Sequence, residues 1–446
     1  MKNVVVLGSG MAGLGASYRL RQEGVAHTVF DMNSHPGGHT FSHVDAQGFV
    51  FDEGPHISFT KDDRIRQLFA DNLHGEFEAF SARVNNFWQG YWIKHPAQCN
   101  LYGLPPAMVT DVLVDMIEAR NVQTTPANYE EWLVASFGRK FAETFPMQYG
   151  RKYHTTEASN MSLDWLGPRL YRPSLKEVLQ GALSAETEEV HYITDFRYPR
   201  QGGFLSFIKP MIEASAVRLG HRLVRLDPGG RRLAFANGAV AEYDHLVSSI
   251  PLPDLIRLIP DAPDDVRAAA ARLACSKCVV VNLGLDRPDL SDWHWTYFYD
   301  DEFSFSRISF PHMFSPGNAP AGMGGIQCEV YFSDKYKPLT QAPESLIPTV
   351  IEDLRRCGLI RDTDRIVHRS AIMVNYANVI FDLERAGALA VVHGYLDDLR
   401  IRCCGRYGEW GYLWTDESFI SGENAAQRAL DFETSPGLAP NGVSRA

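Results

Sequence analysis

The opening segment of the chain leaves few folds open. Lys2 to Leu7 reads KNVVVL, apolar and β-branched as a buried strand requires. GSGMAG follows, with Gly8, Gly10 and Gly13 in G-x-G-x-x-G spacing, and Leu14 to Glu23 predicts a helix. Thr28 to Asp31 predicts a second strand ending in a carboxylate. Strand, glycine turn, helix and acid in this order predict an α/β fold that binds a dinucleotide. Gly8 permits the tight turn, Gly10 lets the backbone around Met11 and Ala12 approach a pyrophosphate, and Gly13 lets helix and strand close together. Free N–H groups at the helix start favour phosphate, and Asp31 is placed to accept from a ribose.

Composition narrows the class. A chain of 446 residues with 45% apolar and 22% charged residues can form two or three cores. The net charge of -11 argues against a general nucleic-acid or anionic-membrane surface. No apolar run reaches the roughly 20 residues of a membrane span. Seven cysteines lack framework spacing, and Cys275 and Cys278 run straight into VVVNLGL as strand-entry thiols. A reduced, cytoplasmic compartment is the expectation. His35, His39 and His43 recur every four residues, but Pro36-Gly37-Gly38 breaks the helix that would align them, so no metal site is predicted.

Further along, GFVFDEGPHIS predicts a strand and a turn at Gly54-Pro55, and residues 61–72 a short amphipathic helix. Residues 83–104 read as hairpin strands, 106–146 as mostly helical, and 149–180 as loop and then helix. Strands are predicted at 221–226, 233–235, 246–249 and 279–285, then onward to about Val391 with one helix near 346–357. A strand-like 399–404 and a helix at 423–430 precede a tail rich in Pro, Gly and Asn, predicted to be disordered.

The stretch after Asp31 reads D-x-N-x-x-x-G-G-H, through Gly38 and His39. It resembles FAD-binding proteins of the amine oxidase, protoporphyrinogen oxidase and sugar-nucleotide mutase group; a nicotinamide-binding domain is the alternative. From Val4 to Leu430, several segments in order resemble the UDP-galactopyranose mutases, particularly the eukaryotic type. They are GGHTFSHVDAQGFVFDEGPHISFT, DWLGPRL, FRYPRQGG, WTYFYDDEFSFSR, FSPGNAP, NYANVIFDLER and GRYGEWGYLWTDESFISG. The fold implied is α/β: a Rossmann-like FAD-binding domain with an inserted helical lobe and a substrate-side antiparallel sheet. The FAD-binding domain is then assembled from 1–104, 196–264 and 391–432, with the helical lobe at 105–195, the sheet at 265–390 and the tail at 433–446.

The activity implied is a ring contraction, NDP-galactopyranose to NDP-galactofuranose, through a sugar adduct on N5 of reduced FAD. No second glycine fingerprint follows a strand, so the reductant is external, such as NAD(P)H. The resemblance places Gly8, Gly10, Gly13, Asp31, Gly38, Val224, Gly405, Arg406 and Ser418 at the flavin, and His56 beside its ring system. It places Arg169, Tyr297, Arg307, Tyr376 and Tyr412 at the diphosphate, where arginine's planar fork suits phosphate. His56, Arg169 and Arg307 are the candidate catalytic side chains. For each of these, an ordinary packing histidine, surface arginine or core tyrosine is the structural alternative.

Two departures carry information. Pro55 stands where the family has a glycine before the turn histidine, which fixes φ and removes an N–H. At the base, Tyr-Pro-Phe-Gln is replaced by His95, Pro96, Ala97 and Gln98, and an asparagine and a tryptophan by Gly150 and His154. Phe to Ala, Asn to Gly and Trp to His all remove volume, which predicts a purine nucleotide, GDP before UDP. The partner expected is a nucleotide sugar, with no nucleic acid and no membrane; oligomeric state stays open. The rival readings are an oxidase or desaturase of the protoporphyrinogen or amine oxidase kind, and a non-enzymatic flavoprotein.

Overall fold

The computed structural model describes residues 3–431 apart from 123, 168–169, 189 and 191–192. The chain divides into two compact units, each built from separated segments. The first comprises Met1–Gly38, Met211–Ala270 and Leu389–Ala446, and the second His39–Pro210 and Ala271–Ala388.

In the first unit, Val4–Leu7 is the middle of a five-stranded parallel sheet, ordered 401–403, 245–248, 4–7, 27–30 and 217–218. All four residues of Val4–Leu7 are buried, which is why this strand is continuously apolar. The helix after the turn is Met11–Gln22, three residues earlier than read, because Gly10 serves as the N-cap. Gly8 takes a φ of +97°, a conformation that favours glycine. A Cβ on Gly13 would lie 1.8 Å from the Gly8 carbonyl, so helix and turn close with no room for a side chain. Leu223–Asp227, Arg232–Phe235 and Val240–Glu242 form a separate antiparallel sheet.

The last helix, Thr415–Asp431, packs on the first helix through glycines on both sides. A Cβ on Gly422 would sit 1.8 Å from the Ala12 carbonyl, and one on Gly15 2.0 Å from that of Phe419. This helix starts eight residues before the predicted 423. Asp416 and Glu417 fall in its first turn, where carboxylates favour the free N–H groups, but the glycines and aromatics around them masked that signal.

The second unit carries a seven-stranded sheet ordered 366–379, 275–285, 324–333, 307–309, 295–298, 84–88 and 91–94. It is antiparallel except where Trp295–Phe298 runs parallel to Val84–Trp88. The hairpin at 84–94, read with the first FAD-binding segment, thus belongs to this sheet, a pairing across two hundred residues that local pattern does not carry. One sheet face holds a core of Val279, Val281, Phe298, Ile308, Cys328 and Val330, closed by Val350 and Leu354 of helix Ile347–Arg356. Residues 149–154, read as loop, belong to helix Pro146–His154. The helix Arg385–Asp398 replaces strand expected as far as Val391. Ala388, Val392 and Leu396 are its buried stripe, four residues apart, with Gly387 and Gly394 obscuring the period. Among the described residues, the other α-helices of the 105–195 region are Pro106–Arg120, Tyr129–Phe137, Arg139–Thr144 and Leu175–Leu183. No helix among the described residues is long and apolar enough to cross a membrane. The predicted tail at 433–446 and the residue Arg169 lie outside the described residues.

The helix crossing is testable by one methyl group. Gly422→Ala should lower stability by about 2–4 kcal/mol, because the new Cβ meets backbone that cannot move aside. Gly394→Ala, whose Cβ meets nothing within 4 Å, should stabilise by up to about 1 kcal/mol. Urea denaturation of both variants measures the contrast.

Candidate functional site

The dinucleotide turn of the first unit is organised from below. Ser9 donates its backbone N–H and its hydroxyl to one oxygen of Asp31, at 2.8 and 2.6 Å, and Asn33 N–H bonds the other at 2.8 Å. The carboxylate keeps acceptor capacity on that second oxygen, as a ribose hydroxyl requires. Gly10 caps the helix without a side-chain bond, so Met11, Ala12 and Gly13 head the helix with no capping group in place. A Cβ on Gly10 would come 3.7 Å from Gly38, so the two glycine loops lie backbone to backbone. His39 follows on a short turn of 3₁₀ helix. Val224 is half-exposed and sits at a β-bulge, where its backbone is outside the ladder. Gly405 takes a φ of +76° and donates its N–H to Ser421 at 2.8 Å. The Arg406 guanidinium donates to the Leu413 carbonyl at 2.8 Å and lies 4.9 Å over the Tyr412 ring. Ser418 is buried in the first turn of the last helix. This set fits an FAD: an uncapped helix start, a close glycine cradle and a ribose acceptor lie in one unit. Tyr412 belongs to this unit and not to the one that holds Tyr297, Arg307 and Tyr376.

The second unit builds a polar site on the sheet face opposite its apolar core. Tyr297 pairs with Arg307, Arg307 with Glu329, and Glu329 with Val280, so their side chains share one row of one face. Arg307 donates through Nε and Nη2 to the Glu329 carboxylate at 2.7–3.1 Å. Glu329 is buried and also accepts the Tyr331 hydroxyl at 2.6 Å. Burial opposes the charge on Arg307, but Glu329 and the surrounding Tyr331, Tyr297 and Tyr149 hold the guanidinium well above its ordinary range. The sequence reading assigned Arg307 to a diphosphate and did not see Glu329, its partner 22 residues on. Deleting Arg307 alone would leave a buried carboxylate uncompensated, at a cost on the order of 3–5 kcal/mol.

An aromatic series extends from this row. His95 lies 5.0 Å from Tyr297, Tyr149 5.4 Å from both Tyr297 and Tyr153, and Tyr153 4.8 Å from Tyr331. His95 donates through Nδ1 to Asn86 Oδ1 at 2.9 Å, which also receives the Tyr299 hydroxyl at 3.2 Å. Gly150 and His154 stand one turn apart on helix Pro146–His154. His154 is buried against Tyr153 and Trp165, and burial pulls its imidazole down to about 3, so it stays neutral. Its Nδ1 has no hydrogen-bond partner. Gly150 is buried, yet a Cβ there would meet only Tyr129, at 4.0 Å. Ala97 is buried in a 3₁₀ turn, whereas Gln98 is turned to the Tyr171 carbonyl at 3.0 Å. Tyr376 lies on the edge strand Ile366–Val379.

The turn that carries His56 adjoins this row: a Cβ on Gly54 would be 4.0 Å from Glu329 Oε1. His56 donates through Nδ1 to the Gly54 carbonyl at 2.9 Å, and its ring packs 5.6 Å from Phe204. Asp52 holds this region and was missed by sequence reasoning. Its buried carboxylate accepts from the Ser42 hydroxyl at 2.5 Å, the Tyr198 hydroxyl at 2.7 Å and the Phe204 N–H at 3.1 Å. Burial pushes its pKa up to about 6 against those hydrogen bonds and His43. Ionising Asp52 therefore costs the folded state nothing below about pH 4, progressively more between 4 and 6, and its full amount above. Relative to Asp52→Asn, the wild type should lose on the order of 2–3 kcal/mol of stability from pH 4 to pH 7. Denaturant titrations of both proteins at the two pH values measure it.

Comparison with known proteins agrees with this architecture. The family model described as flavin containing amine oxidoreductase matches residues 11–430. A crystal structure of reduced UDP-galactopyranose mutase superposes with a TM-score of 0.91 at 24% identity, covering 98% of this chain and 97% of that one. A candidate protoporphyrinogen oxidase from Exiguobacterium sp. 255-15 superposes with a TM-score of 0.75 at 16% identity, covering 97% and 99%. At these identities the likeness is one of fold. Among curated proteins, a 1-hydroxycarotenoid 3,4-desaturase of Flavobacterium sp. (strain P99-3) is 29% identical over 135 residues, 29% of this chain. The match spans 27% of that relative's own length.

Proposed function

Because the chain belongs to the flavin containing amine oxidoreductase family, we propose that it is an FAD-dependent sugar-nucleotide mutase, interconverting the pyranose and furanose forms of an NDP-galactose or a close relative. The observation that carries this reading is the row Tyr297–Arg307–Glu329, with its tyrosine and histidine surround on one sheet face. A site of this kind can hold a diphosphate: Glu329 takes the Nε and Nη2 side of the Arg307 guanidinium, and its Nη1 side, among tyrosine hydroxyls, can donate to a remote anion whose binding energy holds the sugar for reaction. An apolar carotenoid gains nothing from a buried arginine–glutamate pair. The fold shared with a UDP-galactopyranose mutase supports the same direction.

The residues have distinct tasks. Arg307, with Tyr297 and Tyr376 of the same unit, binds the diphosphate and orients the sugar. His56 is oriented by its Nδ1–H bond to the Gly54 carbonyl. The first unit's turn, Asp31, Val224, Gly405, Arg406 and Ser418 hold FAD, which in its reduced form supplies a nucleophile for the anomeric carbon. An external donor such as NAD(P)H keeps it reduced.

The base is a purine. Ala97, Gly150 and His154 stand where eukaryotic-type mutases are larger, and Gly150 leaves buried space beside Tyr129. GDP is the first choice. Protein reduced with dithionite under nitrogen should isomerise GDP-galactose without change of mass, faster than UDP-galactose, and should do neither when oxidised. Equal or faster turnover of UDP-galactose would refute the purine assignment. Gly150→Asn with His154→Trp, restoring the lost volume, should shift the kcat/KM ratio toward UDP by about tenfold or more, measured by chromatography of both products.

A second reading is an oxidase or desaturase, favoured by the carotenoid desaturase among the relatives. Oxygen or acceptor consumption with another substrate, and no isomer from either nucleotide sugar, would establish it.

A further inference from the structure

Helix Pro146–His154 and strand Trp295–Phe298 both supply the tyrosine-lined site, the helix through Tyr149 and the strand through Tyr297. One side chain fastens them together. Lys152 is only 8% exposed, and its Nζ donates to the carbonyls of Phe298 at 3.2 Å and Asp300 at 2.8 Å. Those carbonyls stand where the strand ends, one and three residues beyond Tyr297. The Asp300 carboxylate is turned to the Gln89 N–H at 2.9 Å and does not pair with the lysine.

The neighbouring acids are engaged elsewhere as well. Arg151, the preceding residue, takes Asp301 and Glu157 at 2.9 Å each. Lys152 is thus a buried amine held by backbone, without a carboxylate contact. An apolar side chain of equal length would fill the space but would take the donor away from both carbonyls, so the lysine is there to hold the strand end.

We propose that Lys152 is a positioning residue for the nucleotide-sugar site: it pins the end of strand Trp295–Phe298 to helix Pro146–His154 and so sets Tyr297 against Tyr149 and Arg307. This rests on the function proposed above. Burial pulls the amine down to about 7, opposed by Asp301 and Asp300 and reinforced by Lys337, with Asp353 adding a weaker raising influence. The neutral amine has two N–H groups for the two carbonyls, whereas the ammonium binds both more strongly. The grip on the strand end therefore tightens as pH falls through about 7.

The test uses the FAD-loaded protein and Lys152→Met, which keeps length and loses every donor. GDP-galactose and UDP-galactose, whose diphosphate diester has no group titrating in this range, are bound calorimetrically to the oxidised protein at about pH 6 and about pH 8.5, and kcat and KM are measured on the better one after reduction. In wild type, nucleotide affinity should be higher at the lower pH. In the variant it should fall about tenfold, equivalent to about 1.4 kcal/mol, with KM raised to match, kcat within about threefold, and no change between the two pH values. If that variant does not fold, Lys152→Gln, which keeps donors for the carbonyls on a shorter side chain, is read in the same affinity and KM comparison, and unchanged affinity in it overturns the proposal. Unchanged affinity in a folded variant overturns the role of Lys152 and leaves the functional reading intact. Wild type that binds neither nucleotide sugar overturns the functional reading, and this role with it.

Discussion

The first unit depends on a contact that admits no side chain. The first and last helices cross so closely that Gly422 faces the Ala12 carbonyl and Gly15 the Phe419 carbonyl, each at a distance a Cβ could not occupy. The same first helix starts at the dinucleotide turn, where Gly13 meets Gly8 under the same exclusion. Turn geometry and helix packing are therefore one constraint. Moving the helix out by the width of a methyl group would displace its N–H groups from whatever phosphate they face. The Gly405 loop joins this arrangement, since a Cβ on Gly405 would lie 2.6 Å from that of Ala12.

The second unit rests on the period-two alternation of its long strands. Cys328 and Val330 enter the apolar core, while Gln327, Glu329 and Tyr331 face the other way. One strand thus supplies both the hydrophobic stabilisation and the polar floor of the site. Burying polar groups there is tolerable only because they satisfy one another. Glu329 takes Arg307 and Tyr331, and Gln327 donates to the Asp52 carbonyl and to Asn282 at 2.9 Å each. Such networks fix side chains in single positions, as recognition of a rigid ligand requires.

Asp52 and Lys152 show how that floor is fastened. Each is a buried titratable group held mainly by backbone or neutral hydroxyl partners, and burial moves each toward its neutral form. Asp52 joins strand Val50–Asp52 to the Gly202–Gly203 turn and to Phe204, which packs on His56. A Cβ on Gly203 would run into Ser42 and Asp52, so that glycine pair reflects a close approach and not a flexible link.

The dinucleotide turn was legible in the sequence because its physics is local: Val4 to Asp31 form one contiguous strand–turn–helix–strand unit, and each glycine is required by a neighbour within it or by the ligand. Hairpin strands within 83–104 and a strand at 279–285 were legible for the same reason, as aromatic-rich or continuously apolar runs between turn residues, although the second begins four residues earlier, at Cys275. Tyr297 and Arg307 were pointed to only by the family resemblance, as residue types that suit a diphosphate. Tertiary structure alone decided their partners. Glu329 reaches Arg307 by strand register, Asp52 meets Tyr198 and Phe204 across about 150 residues of chain, and Lys152 finds the Phe298 carbonyl 146 residues away. It also decided that 385–398 is a helix, because the stripe of Ala388, Val392 and Leu396 gains its stability from what covers it and not from a sequence diluted by two glycines. Local propensity and turn chemistry are written residue by residue. Burial and pairing belong to segments brought together only when the chain folds.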